Sequence, residues 1–315
     1  MIDSAGRKIN YMRISITDRC NLRCSYCMPN GVGVLQHNDI LRYEEILRIV
    51  KIVAKMGITA IRVTGGEPLV RKGCLEFIKS IGKTQGISQV SLTTNGVLLG
   101  QYIDELSKMN IPVNISLDSL NEGNYKKITG HNDLDKVWHS LKKAIEAGIK
   151  IKINCVPIKN MNEHEIIPMA QLAEKYPIDV RFIEYMPTEG DNKLKGISSN
   201  EIIREVKNIY TDLKQELNRI ENGPAIYFKS KKMKGSIGFI SSVNSCFCAE
   251  CNRVRLTSQG FFKLCLFHDE GVDLRKIIRS GADDSVIEAA IFNAVNHKPR
   301  HHQNGKIKNM SQIGG

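Results

Sequence analysis

Residues 13–28, RISITDRCNLRCSYCM, join a short alternating strand to three closely spaced cysteines. Ile14 and Ile16 alternate with Arg13, Ser15 and Thr17, so one face of the strand is apolar and the other polar or basic. The same phase recurs downstream: Ile61 and Val63 alternate with Arg62 and Thr64, and Leu92 and Thr94 with Ser91, Thr93 and Asn95. Val113, Ile115 and Leu117 alternate with Asn114, Ser116 and Asp118, and Ile151, Ile153 and Cys155 with Lys152 and Asn154. A parallel strand covered on both faces reads as continuous Val, Ile and Leu, and the centre of a closed (βα)8 barrel is packed with branched side chains. A polar inner phase instead predicts a barrel around a wet binding cavity. Arg13, Arg62 and Lys152 would there meet water or an anion, because an unpaired cation in a dry core costs several kcal/mol.

Outward from these runs, strands expected at 13–17, 60–64, 90–94, 113–117, 151–156 and 180–185 alternate with amphipathic stretches at 43–56, 74–83, 102–109, 134–147 and 164–175. Gly57, Gly86 and Gly148 supply helix stops. This rhythm predicts parallel βαβ units with right-handed crossovers, and hence an α/β fold built as a partial (βα)6 barrel. An antiparallel sheet with one wet face would show the same alternation, but it gives the intervening helices no role. After Pro187 the rhythm changes. Helical stretches at 199–208 and 213–220, β-like pieces at 225–229, 236–240, 253–257 and 261–264, and helices at 274–279 and 284–296 predict an α+β extension. The expected division is 1–187 and 188–315.

The 315 residues carry a net charge of +12. The excess is dispersed, with short clusters at 229–234 and 298–302, which reads as a solvated surface more than a nucleic-acid footprint. No apolar run approaches the roughly 20 residues that span a bilayer, and no export signal is evident, so the cytoplasm is expected and a membrane partner is not. Seven of the nine cysteines fall in two tight groups, as metal ligands do and disulfide frameworks do not. Cys74 and Cys155 stand apart and read as packing residues.

Cys20, Cys24 and Cys27 form C-x3-C-x2-C, with Tyr26 just before the last. Three thiolates leave one iron of a cubane without a protein ligand, whereas a structural zinc site would want a fourth ligand nearby. Together with Gly65-Gly66-Glu67-Pro68 after the second strand, this segment resembles the cluster-binding motif of the radical S-adenosylmethionine (SAM) superfamily. The resemblance implies a TIM-like radical SAM barrel, an open iron that chelates SAM, and reductive cleavage to a 5′-deoxyadenosyl radical.

Cys248, Cys251 and Cys265 form C-x2-C-x13-C, with Cys246 upstream and His268 three residues beyond. On spacing alone a Cys3His zinc site and an iron–sulfur cluster are both open. MRISITDRCNLRCSYCMP and CNRVRLTSQG, however, resemble the signatures of the GTP 3′,8-cyclases, over nearly the whole chain. That resemblance implies a second [4Fe–4S] cluster on Cys248, Cys251 and Cys265. It also implies GTP contacts at Arg13, Arg62, Thr93, Lys152, Arg253 and Arg255, and SAM contacts at Tyr26, Gly66, Ser116 and Met186. Arg13, Arg253, Arg255 and the terminal Gly314 and Gly315 would serve catalysis, the last two on a tail reaching the active site. The implied reaction is cyclisation of GTP to (8S)-3′,8-cyclo-7,8-dihydroguanosine 5′-triphosphate, the first step of molybdenum-cofactor synthesis. Implied partners are GTP, a low-potential electron donor of flavodoxin or ferredoxin type, and cyclic pyranopterin monophosphate synthase downstream; a homodimer is left open. Two other readings are a peptide-maturing radical SAM enzyme with an auxiliary cluster and a zinc-containing nucleic-acid-binding protein. The first is expected to carry a longer, cysteine-richer C-terminal region, and the second leaves GGEP without a role.

Overall fold

The computed structural model describes residues 1–28, 35–187, 194–217, 219, 223–241 and 247–301. Along the chain run β1 (Tyr11–Ser15), α1 (Tyr43–Lys55), β2 (Ala60–Thr64), α2 (Cys74–Gly82), β3 (Gln89–Thr94), α3 (Ile103–Lys108), β4 (Val113–Ser116), α4 (Glu122–Thr129), α5 (Leu134–Glu146) and β5 (Ile151–Cys155). There follow α6 (Ile166–Lys175), β6 (Asp179–Ile183), α7 (Ser199–Ile209), β7 (Lys214–Gln215), β8 (Ile226–Lys229), β9 (Ile237–Ile240), β10 (Arg253–Leu256), β11 (Phe261–Lys263), β12 (Gly271–Asp273), α8 (Leu274–Arg279) and α9 (Asp284–Asn296). The expected βα alternation is present. Gly57 and Gly148 adopt positive φ two residues past the ends of α1 and α5, where they were read as stops, whereas Gly86, also at positive φ, lies four residues beyond α2, whose C-cap is Lys83.

Two compact units divide the chain. One comprises residues 1–21, 30–92 and 247–315, the other 22–29 and 93–246. These units follow the strand pairing. In the first unit β10, β1, β2 and β3 lie side by side in parallel, and β11 and β12 continue from β10 in antiparallel pairing. In the second, β4, β5, β6 and β9 are parallel neighbours, with β8 and β7 added antiparallel beyond β9. Central strands are thus parallel, as the βα rhythm predicts.

The apolar phase of the strands forms the core. Ile14, Ile61, Val63, Val254 and Leu256 are fully buried in the first unit, and Ile115, Ile153, Val180 and Phe182 in the second. Helix α1 contributes Ile46, Ile49, Val50 and Val53, spaced three and four apart so that they share one face. Its first turn is closed by the Glu45 carboxylate, which accepts from the Arg42 backbone N–H at 2.6 Å. A capping box between Ser198 and Glu201 starts α7.

Three expectations fail locally. Residues 213–220 read as helical, but Lys214 and Gln215 pair with Lys229 and Phe228 as a short antiparallel edge. A non-local ladder overrides helix propensity there. Helix α4, EGNYKKIT, was not anticipated because its apolar stripe is thin; its start is fixed by Asn121, which accepts from the Asn124 N–H at 3.0 Å. Strand β1 begins two residues earlier than expected, since its pairing with β2 and β10 starts at Tyr11. Among the described residues no helix is long and apolar enough to cross a membrane.

One buried carboxylate organises the loop after β4. Asp118 accepts from the Tyr26 hydroxyl at 2.6 Å and from the Val156 N–H at 2.8 Å. Its backbone carbonyl accepts from Asn162 at 2.7 Å. Burial pushes the Asp118 carboxyl up to about 6, against the pull of its two donors. The raised value means that stability is fully present below the ordinary 3.8 and falls as pH rises through about 6. The stability difference between Asp118→Asn and wild type should therefore move in the variant's favour across that window and be flat above it. Urea midpoints measured as a function of pH check this; a constant difference would refute it. A second test concerns Gly235, where an added Cβ would lie 1.8 Å from the Ile178 carbonyl oxygen. Gly235→Ala should cost at least ~1–3 kcal/mol, read from the urea midpoint.

Candidate functional site

In the first unit the strand register aligns residues that the sequence scatters. Arg13 on β1 is level with Arg62 on β2 and with Arg255 on β10. The row continues to Ser91 on β3 and, on the other side, to Lys263 on β11. Four cations thus occupy neighbouring strands about 4.8 Å apart. One step along, Arg253 is level with Tyr11. Arg62 lies over the Tyr11 ring, 5.5 Å from its centroid, and donates to the Ser91 hydroxyl at 3.3 Å. Lys263 is buried and pairs with Asp269 at 2.9 Å.

The electrostatics of this row are unfavourable as it stands. Burial, then the charges of Arg255 and Arg62, hold the Arg13 guanidinium well below its ordinary value. Burial and Arg253 push Arg255 down to about 10. The Nε of Arg13 is buried and lacks a hydrogen-bond partner among the described residues. A half-buried guanidinium with a buried, unused Nε donor beside three further cations suits a multiply charged anion that accepts several hydrogen bonds.

Gly65 and Gly66 lie against the segment that leads into Cys20. Gly66 donates to the Thr17 carbonyl at 2.7 Å, and Glu67 to that of Arg19 at 2.8 Å. A Cβ on Gly66 would sit 2.4 Å from the Arg19 oxygen and 2.6 Å from the Asp18 oxygen. Only glycine fits this approach. Glu67 is fully buried, and its carboxylate accepts from the Leu69 N–H at 3.0 Å.

The C-terminal cysteines frame the end of the cationic row. Cys248 opens a short 3-10 turn that ends at Cys251, two residues before β10; Cys265 follows β11 by two residues. Cys251 is held below its ordinary range: burial raises it, but Lys298 and Arg253 outweigh burial. Lys298, expected on a solvated tail, is buried instead, because its chain reaches back to the carbonyls of Arg253 and Leu264. Arg253 also lies over the Phe247 ring at 4.6 Å.

In the second unit, residues 22–28 are fastened to the end of α4, with Arg23 donating to Thr129 at 2.8 Å and Ser25 to Ile128 at 2.9 Å. Cys24 and Cys27 share a turn closed by a 3.1 Å backbone bond. Tyr26 between them is held by Asp118. Lys152 on β5 donates to the Tyr227 hydroxyl at 3.2 Å and lies 3.8 Å from Asp179. Ser116, Asn154 and Arg181 form one row across β4, β5 and β6. The Asn154 side-chain Oδ1 and the Thr93 hydroxyl are buried without a partner among the described residues. Met186 is half-buried just beyond β6.

Lys263, Arg181, Tyr11 and Asp118 were missed as site residues in the sequence. Lys263 precedes Cys265 by two, and Asp118 ends the alternation of β4; both signals were present but carried no metal or nucleotide pattern. Gly314, Gly315 and Cys246 lie outside the described residues. None of the described cysteines is in a disulfide; Cys74 and Cys155 are buried, and burial pushes the Cys74 thiol up to about 12. Among the described residues no three His, Cys, Asp or Glu side chains are already gathered as a metal site. The chemistry of the N-terminal donor set, three cysteines none of which is in a disulfide, nonetheless fits three-thiolate ligation of an iron–sulfur cubane.

Comparison with known proteins agrees with this geometry. The profile of the Radical SAM superfamily matches residues 14–173, and that of Molybdenum Cofactor Synthesis C matches residues 178–304. A GTP 3′,8-cyclase from Clostridium perfringens (strain SM101 / Type A) is 44% identical over 324 residues, covering all of both chains. One from Desulforamulus reducens is 41% identical over 325 residues, again over the whole of both. Among solved structures, Streptococcus suis SuiB bound to S-adenosylmethionine superposes with a TM-score of 0.69 at 15% identity, over 92% of this chain and 68% of that one. A radical SAM methyltransferase from Sphaerobacter thermophilus gives 0.51 at 18%, over 62% of each chain. At such identities the likeness speaks for the fold alone, and it is that of the partial (βα)6 radical SAM barrel with a C-terminal extension. The chain therefore belongs to the GTP 3′,8-cyclase family of radical SAM enzymes, which work with SAM and a [4Fe–4S] cluster.

Proposed function

We propose that the chain cyclises GTP to (8S)-3′,8-cyclo-7,8-dihydroguanosine 5′-triphosphate, with its own residues serving mainly to bind and orient the two ligands. The observation that carries this reading is the row Arg62–Arg13–Arg255, with its unpartnered Arg13 Nε. A triphosphate supplies the charge and the acceptors that the row lacks. Charge-assisted bonds from several guanidinium groups would fix its position and so reduce the freedom of the reacting sugar and base. Arg253, on the same face of β10 as Arg255, extends the grip. Lys152 and Thr93 are assigned to GTP by the family resemblance, and Ser116 and Met186 to SAM.

Cys20, Cys24 and Cys27 hold the SAM-cleaving cluster in this reading. The family resemblance assigns Gly66 to SAM, and the hydrogen bond from Tyr26 to Asp118 restrains the aromatic ring between Cys24 and Cys27. When bound, the cluster and SAM supply the one-electron chemistry that joins C3′ of the ribose to C8 of guanine. Cys248, Cys251 and Cys265 would hold a second [4Fe–4S] cluster, which would bind the guanine. A zinc ion completed by His268 is the competing occupant, and metal analysis separates the two. The Gly314–Gly315 tail, a flavodoxin- or ferredoxin-type donor and a downstream cyclic pyranopterin monophosphate synthase complete the scheme. The cytoplasm is the proposed compartment.

Anaerobic preparation followed by iron, sulfide and zinc analysis, then incubation with SAM, GTP and reductant, tests the scheme as a whole. The cyclised nucleotide should form, and zinc in the C-terminal group would remove the basis of the guanine assignment. Cys24→Ser should reduce SAM cleavage to background; turnover at the wild-type rate would end the proposal. Arg255→Ala should weaken GTP binding by roughly 10–100-fold, the loss of a charged hydrogen bond, while uncoupled SAM cleavage persists. Equilibrium binding and quantification of 5′-deoxyadenosine measure the two effects separately.

A further inference from the structure

Lys298 is a buried cation with an unusual set of neighbours. It is 3% exposed, and its ammonium donates to the Arg253 carbonyl at 2.9 Å and to the Leu264 carbonyl. Among the described residues no carboxylate pairs with it. Two other buried cations nearby do have one: Arg7 pairs with Asp3 at 2.6 Å and Lys263 with Asp269 at 2.9 Å. Its two acceptors belong to Leu264, next to Cys265, and to Arg253, two residues after Cys251. Two carbonyl dipoles solvate an ammonium only in part, and a desolvated cation needs opposite charge close by. Neutral thiols carry none. Thiolates bound to a metal do.

The backbone around Lys298 has a second property. Arg7 donates to the carbonyls of Pro299 at 2.8 Å and Lys298 at 3.2 Å, and also to that of Cys248 at 2.9 Å. Residues 298–299 are thereby tied to three places at once: to Cys248 through Arg7, to Leu264 beside Cys265, and to Arg253 just after Cys251. One short segment fastens all three stretches that carry the C-terminal cysteines.

We propose that Lys298 is a positioning residue for the cluster held by Cys248, Cys251 and Cys265. Its ammonium offsets the thiolate charge, and its two carbonyl bonds fix the backbone next to the ligands. This rests on the reading of that group as an iron–sulfur cluster. A cluster's potential follows the net charge and hydrogen bonding around it, so a fixed positive charge stabilises the reduced form and raises the potential. Loss of the charge should lower it.

The test uses the full-length chain with Cys20, Cys24 and Cys27 replaced by serine, reconstituted anaerobically so that the C-terminal cluster is read alone. Lys298→Gln keeps a donor for the carbonyls but no charge; Lys298→Arg keeps the charge. The midpoint potential, followed by electron paramagnetic resonance, should move to more negative values in the glutamine variant and stay near the parent value in the arginine variant. Iron release to a chelator should be roughly tenfold faster in the glutamine variant. Lys298→Met, which suits a buried site, serves as the neutral replacement if the glutamine variant does not fold. A full cluster whose potential and release rate are unchanged by loss of the charge overturns the role of Lys298, as does an equal shift in the arginine variant. A parent protein that binds zinc or no iron overturns instead the cluster reading on which the role depends.

Discussion

Arg62, Arg13 and Arg255 stand in one row on three adjacent parallel strands, and the rest of the first unit has to hold them there. Two unit charges about 5 Å apart repel by about 3 kcal/mol at an effective dielectric of 20. Against a typical fold stability of ~5–15 kcal/mol, two such neighbours are a heavy load. The same strands offset it through their other phase, where Ile14, Ile61, Val63, Val254 and Leu256 are fully buried. Apolar burial on one face permits like charges on the other, and an anion that meets the row gains what the empty row forgoes.

The cysteine segments are held by a different device. Neither group sits on an α-helix or a strand, so bonds from other segments position the residues around them. Residues 22–28 hang from the end of α4 by two backbone bonds, and Tyr26 is fixed by Asp118, a carboxylate desolvated enough to sit near 6. The C-terminal group is fastened through Arg7 and Lys298 to residues 298–299. Where side-chain geometry must be exact to a fraction of an ångström, loops need such buried anchors, because their own backbone supplies little restraint. The fit of Gly66 against Asp18 and Arg19 follows the same logic, with close backbone contact in place of a side chain.

Much of this was legible in the linear chain. Alternation in 13–17, 60–64 and 113–117 marked both the strands and the polar phase that carries Arg13, Arg62 and Ser116, because side chains alternate across any strand whatever its neighbours. Cysteine spacing marked both candidate metal-binding groups. Gly57 and Gly148 marked helix ends through the freedom of glycine at positive φ.

What the chain could not declare was register and burial. That Arg13 is level with Arg255, 242 positions away, depends on a parallel ladder between β1 and β10. That Lys298 is buried beside cysteines, although it lies in the basic run KPRHH, depends on carbonyls of Arg253 and Leu264 that only folding brings near. Lys214 and Gln215 became strand for the same reason, pairing with a partner over a dozen residues on. Local periodicity is set by bond geometry within a few residues and can be read directly. Ladders and buried charges are set by contacts between distant segments, whose free energy exists only once the whole unit has assembled.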